Sequence, residues 1–121
     1  MMPSKEAIRE FRLKLYVSDL IERRRFYEET IGWPILRDWG AGVMYDAGPA
    51  IFELLNQTNS EPHNTSCDVS LEVPNVHALW HRLRDCTVVV FELRENSWGD
   101  TSFCIADPGG FRLTFFSPTE K

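Results

Sequence analysis

The chain has 121 residues, enough for one domain with a real core, and its 43% hydrophobic and 26% charged content is that of a soluble globular protein. A formal net charge of −5 disfavours nucleic acid and anionic membrane as partners, and no apolar run approaches the roughly 20 residues that span a bilayer. The segment "MMPSKEAIREF" mixes both charge signs with no apolar centre, unlike a secretory signal. Three cysteines without CxxC spacing (Cys67, Cys86, Cys104) read as reduced thiols of a cytoplasmic protein.

Residues 1–10 read as an N-terminal extension and 11–56 as a first module. In "FRLKLYV" (11–17), Leu13, Leu15 and Val17 alternate with Arg12, Lys14 and Tyr16, which predicts a strand buried on one face. "SDLIERRRFYEETIGW" predicts a helix with Asp19 as N-cap, Glu22 completing a capping box and Gly32 as the stop. Leu20, Arg24, Tyr27 and Ile31 share one helical face, with Phe26 beside it, and the run Arg23-Arg24-Arg25 is a solvated face offset by Glu22, Glu28 and Glu29. "PILRDW", "VMYDAG" and "AIFELLN" are three short strands separated by glycine-bearing turns.

The polar, proline-interrupted "QTNSEPHNTS" (57–66) is a linker, and 67–117 repeats the plan before a tail at 118–121. "DVSLEV" alternates, and "PNVHALWHRLRD" is a helix with Asn75 as N-cap and Val76, Leu79, Trp80 and Leu83 inward. "VVVFELRE", "TSFCIAD" and "FRLTFFS" are strands. The order is therefore β-α-β-β-β twice, an α+β fold within a single domain. Val17 aligns with Val73 at an offset of 56, whereas Asp46 aligns with Asp107, and Glu53 with Thr114, at an offset of 61. The second half thus gains residues around "LRENSWGD".

One helix covers one face of a four-stranded sheet. The apolar sets go under the helices. The opposite set lines a concave surface: Arg12, Lys14, Tyr16, Ile51, Glu53 and Leu55 in the first half, with Asp68, Ser70, Glu72, Arg112, Thr114 and Phe116 in the second. Such a mixed lining is that of a ligand groove, with a dimer surface or a solvated face as the other readings.

Three blocks carry a family likeness: "LYVSDLIERRRFYEETIGW" (15–33), "DVSLEVPNVHALWHRL" (68–83) and "WGDTSFCIADPGGFRLTFF" (98–116). In this order they resemble the vicinal oxygen chelate superfamily, the glyoxalase / bleomycin resistance protein / dioxygenase group, and bleomycin-resistance-like members most closely. The resemblance implies two βαβββ modules forming a concave, partly closed sheet groove, completed in a homodimer. It also implies metal-ligand positions on the first and last strand of each module, which here carry Arg12, Glu53, Asp68 and Thr114. Arginine offers a cation no lone pair and threonine is a poor ligand for first-row metals, so this set predicts no functional metal; Arg12 instead pairs with Glu53 or Asp68. Trp98-Gly99 is similar to a Trp-Gly that lies near the family's groove, though the same ring can also anchor its loop against the sheet.

His77 and His81 have zinc-ligand spacing without a third ligand and read as a solvated helix surface; His63 falls in the linker. Cys104 has no base supplied by the sequence and reads as a small core residue.

The leading expectation is a protein without the usual metal ligands that binds a small organic molecule, as in antibiotic sequestration and resistance. Glu53, Asp68 and Glu72 are its acidic contacts, Tyr16, Trp98 and Phe116 its stacking surfaces, and Arg12, Arg112 and Thr114 complete the lining. The alternatives are a superfamily lyase, isomerase or dioxygenase with an unusual divalent metal site or a metal-free mechanism, and a partner-binding module. No catalytic residue is assigned.

Overall fold

The structure is a computed structural model that describes residues 10–57 and 67–120. The expected N-terminal extension and linker, His63 included, lie almost wholly outside the described residues. The chain forms two compact units, Met1–Pro62 and His63–Lys121. Each holds an open four-stranded mixed sheet with its helix, so the fold is α+β and βαβββ occurs twice. Neither sheet closes on itself, so the partial closure the resemblance implies is not a property of either module alone.

In the first module, β1 (Arg12–Val17) runs parallel to β4 (Ile51–Asn56), followed outward by β3 (Gly42–Asp46) and the edge strand β2 (Ile35–Asp38). Parallel neighbours need a crossover, and the helical segment between β1 and β2 supplies it. Helix α1 (Leu20–Arg25) does not continue as a regular α-helix: Phe26–Ile31 widens into a π-helical turn and stops at Gly32, whose φ of 85° only glycine adopts freely. The wide turn brings Phe26, Tyr27 and Ile31 all into the core. The expected capping box is absent. The Asp19 side chain accepts no capping hydrogen bond and instead pairs with Arg23 at 3.3 Å, one helical turn on.

The second module repeats this order: β5 (Val69–Glu72) parallel to β8 (Arg112–Pro118), then β7 (Asp100–Ala106) and the edge strand β6 (Val88–Glu95). Helix α2 (Val76–Leu83) is capped as the sequence predicts, with Asn75 Oδ1 accepting from Ala78 N–H at 3.1 Å. Ser117 adds a second tie, accepting from Val76 N–H (3.1 Å) and donating to the Val73 carbonyl (2.6 Å). Val76 and Leu83 are fully buried, and Trp80 packs half-buried with its ring 5.1 Å from Phe103.

The strand register confirms the internal repeat. Lys14 pairs with Glu53 in the first module and Ser70 with Thr114 in the second, which reproduces both alignment offsets. The turns before β4 and β8 are built alike: Asp46 Oδ1 accepts from Gly48 N–H (2.9 Å) and Asp107 Oδ1 from Gly109 N–H (3.0 Å). On the helix-facing sides Leu15, Val17, Phe52, Leu54, Leu113 and Phe115 are buried as expected, each worth roughly 1.5–3 kcal/mol of apolar transfer.

The arginine run of α1 is only partly the solvated face expected of it. Arg24 donates to Glu28 (2.7 Å) and to Asp38 on β2 (2.9 Å), and the fully buried Tyr45 donates to the same Glu28 carboxylate (2.7 Å). Burial and the bond to Glu28 hold the Tyr45 phenol well above its usual range. The bonds from Arg24 and from Gly40 N–H hold the Asp38 carboxyl below its own. A charge-assisted chain therefore ties helix to edge strand.

Candidate ligand-binding face

Alternation along each strand decides which side chains turn away from the helices. In the first module these include Arg12, Lys14 and Tyr16 on β1 and Ile51, Glu53 and Leu55 on β4. Cross-strand register extends the face to Met44 and Gly42 on β3, opposite Glu53 and Leu55, and to Arg37 on β2, opposite Met44.

Glu53 stands at the centre of this face. It is only 5% exposed, yet its Oε1 accepts no hydrogen bond among the described residues. The expected partner, Arg12, reaches it only at 3.9 Å, because its guanidinium is engaged more closely by Glu10. A buried carboxylate oxygen without a donor is costly, so this atom calls for a donor that the described chain does not supply.

At the rim of the same face, the Trp39 ring covers Gly42. A Cβ at position 42 would meet the indole at 2.5 Å and the Leu54 carbonyl oxygen at 2.9 Å, so the close approach requires glycine. Arg37 lies over the ring, 5.4 Å from its centroid. Trp39 closes the segment "PILRDW" that the sequence predicts as a strand, and its seat on Gly42 was missed. Met44 was missed as well. Counting β3 back from the Asp46 turn would have paired Met44 with Glu53.

In the second module Ser70 and Glu72 on β5 share the open face with Arg112, Thr114 and Phe116 on β8. Asp68 lies just before β5 and is held by Arg112 at 3.2 Å rather than by Arg12. Cys104 on β7 pairs with Thr114, so this buried thiol belongs to the open face and not under the helix. Ser102 lies two residues away on the same face, where it accepts a hydrogen bond from Asn96. Arg94 on β6 stacks over Phe91, 3.9 Å from the ring centroid. Trp98, at the β6–β7 turn, is 72% exposed and does not anchor its loop against the sheet. His77 and His81 are both exposed on α2.

The residues at the resemblance-implied metal positions do not suit a metal. Arg12 brings a fixed positive charge bound to Glu10, Asp68 is neutralised by Arg112, and Thr114 offers a weak neutral oxygen. Of the four, Glu53 keeps a carboxylate oxygen that accepts no hydrogen bond among the described residues, with Arg12 at 3.9 Å. Among the described residues no helix is long and apolar enough to cross a membrane, and the three cysteines are free thiols.

A family model described as "Glyoxalase-like domain" matches residues 11–115. No curated protein matches the chain significantly. Among solved structures the chain is similar to TnmS3, an antibiotic binding protein from Streptomyces sp. CB03234, at 20% identity and a TM-score of 0.80, over 96% of this chain and 100% of that one. It is similar to a glyoxalase / bleomycin resistance protein / dioxygenase from Nocardioides at 16% identity and a TM-score of 0.77, over 98% and 88%. It is also similar to lactoylglutathione lyase from Agrobacterium tumefaciens at 18% identity and a TM-score of 0.73, over 94% and 95%. At these identities the likeness is one of fold, and it spans both binding and catalytic proteins.

Proposed function

The chain belongs to the glyoxalase-like family of the vicinal oxygen chelate superfamily, and on that premise we propose that it binds a small organic molecule on its open sheet faces without a catalytic metal. The observation that carries this reading is Glu53, a buried carboxylate with an oxygen that accepts no hydrogen bond among the described residues, set on a face shared with Arg12, Tyr16 and Met44. A ligand that donates to Glu53 relieves the cost of its burial on binding. The open face of the second module, taken by itself, carries Glu72, Thr114 and Phe116, with the Asp68–Arg112 pair at its margin. The antibiotic binding protein among the structural neighbours supports sequestration of an antibiotic or similar compound as the role. We place the working form in the cytoplasm as a homodimer, with Trp98 near the ligand.

A thermal-shift screen of cationic antibiotics and flat metabolites tests the proposal. A ligand at one hundred times its Kd stabilises the native state by about 2.7 kcal/mol, a readily measured rise in Tm. Glu53→Gln keeps the side-chain volume and is expected to reduce that rise. Stoichiometric Zn, Ni, Mn or Fe after growth in supplemented medium, with turnover that a chelator abolishes, would overturn the metal-free reading. A monomer by light scattering would overturn the dimer.

A further inference from the structure

We propose that the ligand is a flat aromatic ring bearing a cationic N–H fork, an amidine or similar group, with the fork on Glu53 and the ring against Trp39. This rests on the small-molecule reading above and specifies its chemistry. Two independent features of the first module carry it. The first is the Glu53 Oε1, which accepts no hydrogen bond among the described residues although its side chain is only 6% exposed. A carboxylate only accepts hydrogen bonds, so the matching group must donate, and a charged donor makes the stronger bond. Arg12 does not fill this role, since Glu10 engages it and 3.9 Å is beyond hydrogen-bond reach.

The second feature is the seating of Trp39. Its ring occupies the space a side chain at position 42 would take, so glycine there fixes the indole against the sheet while the residue stays 38% exposed. Among the described residues Arg37 has no carboxylate partner, only the ring. An exposed cation–π contact is weak, so a ligand ring can replace it.

Register sets the spacing between the two features. Gly42 and Met44 are two residues apart on β3, and Met44 faces Glu53 directly. At about 3.3 Å per residue along β3 and about 4.8 Å across to β4, the backbone positions of Glu53 and Gly42 are roughly 8 Å apart. A six-membered ring with a one-carbon head group bridges that distance. Met44, opposite Glu53 and two residues from Gly42 on the same face, borders this span with a thioether, a group that makes favourable sulfur–aromatic contacts.

The test uses the full chain and three probes in calorimetric titration: benzamidine (ring and fork), acetamidine (fork alone) and benzoate (ring with an acceptor). Benzamidine is expected to bind, with acetamidine and benzoate each weaker by about tenfold or more. Glu53→Gln and Trp39→Ala are each expected to weaken benzamidine by about tenfold or more while the circular dichroism spectrum stays that of the parent. Benzoate binding as tightly as benzamidine, or benzamidine insensitive to either substitution, overturns the assignment. If none of the three probes binds but a compound from the thermal-shift screen does, the head-group assignment falls and the small-molecule reading stands. If nothing binds in either experiment, both fall.

Discussion

The two modules share one backbone plan and differ in what each does with its polar residues. Module one carries Lys14 beside Glu53 at the centre of its open face, where module two has Ser70 beside Thr114. Module one leaves Asp19 uncapping and ties its helix to the sheet through Arg24, Glu28, Tyr45 and Asp38. Module two caps its helix with Asn75 and packs Trp80 on Phe103. What both retain is what closes a βαβββ unit: the aspartate turn before the last strand and the apolar layer under the helix. The repeat is therefore a repeat of folding instructions, and the binding chemistry is free to diverge on the side they do not use.

The largest expected effects test where the modules are alike. Leu54 and Phe115 occupy equivalent, buried places on β4 and β8. Leu54→Ala is expected to cost about 2–5 kcal/mol and Phe115→Ala about 3–5 kcal/mol in urea unfolding. A loss below 1 kcal/mol in one module alone would break the equivalence.

The aspartate turns sharpen the comparison. Asp107 is buried and also accepts from Phe111 N–H at 2.8 Å, whereas Asp46 is exposed. Asp107→Ala should cost about 1–3 kcal/mol by leaving buried donors unpaired, against about 1 kcal/mol or less for Asp46→Ala. Equal losses would mean that burial does not separate the two turns. At the helix starts, Asn75→Ala should cost about 1 kcal/mol. Asp19→Ala should cost less than about 1 kcal/mol, because it removes only a partly exposed ion pair with Arg23.

The smallest effect is the dependence on pH, which module one alone should show through this network. The folded-state pKa of Tyr45 is raised, so its contribution is complete below the unfolded value near about 10 and is lost as pH rises through the folded value. Unfolding free energy should fall as pH rises above about 10, and Tyr45→Phe should flatten the decline. The folded-state pKa of Asp38 is lowered, so its contribution is present above the unfolded value of about 4 and lost as pH falls below it. Asp38→Asn should flatten the acid limb. An unchanged alkaline slope in Tyr45→Phe would detach this phenol from the linkage.

Most of the fold was legible because alternation, turn residues and the internal repeat are local signals that all agree. Strand 88–95 was read to the residue, and Asn75 was recognised from its place before the apolar stripe. Asp19 had the same position and a better-placed Glu22, yet Arg23 one turn on competes for its carboxylate, and sequence does not rank the two bonds. Arg24 shares a helical face with Leu20, Tyr27 and Ile31, but the triple-arginine run was read as solvated; its partner Asp38 lies on β2, visible only once tertiary contacts form. For the site, sequence gave the facing of Glu53, Arg12 and Thr114 but not their depth. Alternation says which way a side chain turns, not how much surrounds it. Hence the burial of Glu53, and the membership of Trp39 and Cys104 in the open faces, came only with the structure, whereas Met44 lay within reach of a count back from the Asp46 turn.

The parallel pairing of first and last strands has a consequence for the order of assembly. Met44 meets Glu53 across a hairpin nine positions long (44 to 53), whereas Lys14 meets Glu53 only after 39 positions have been closed (14 to 53). Short loops close first, at lower entropic cost, so β2, β3 and β4 can zip before β1 docks beside them. The basic half of the Glu53 neighbourhood is then the last to arrive. A kinetic trace of ligand capture during refolding would lag the growth of strand signal, and its final phase would time the docking of β1.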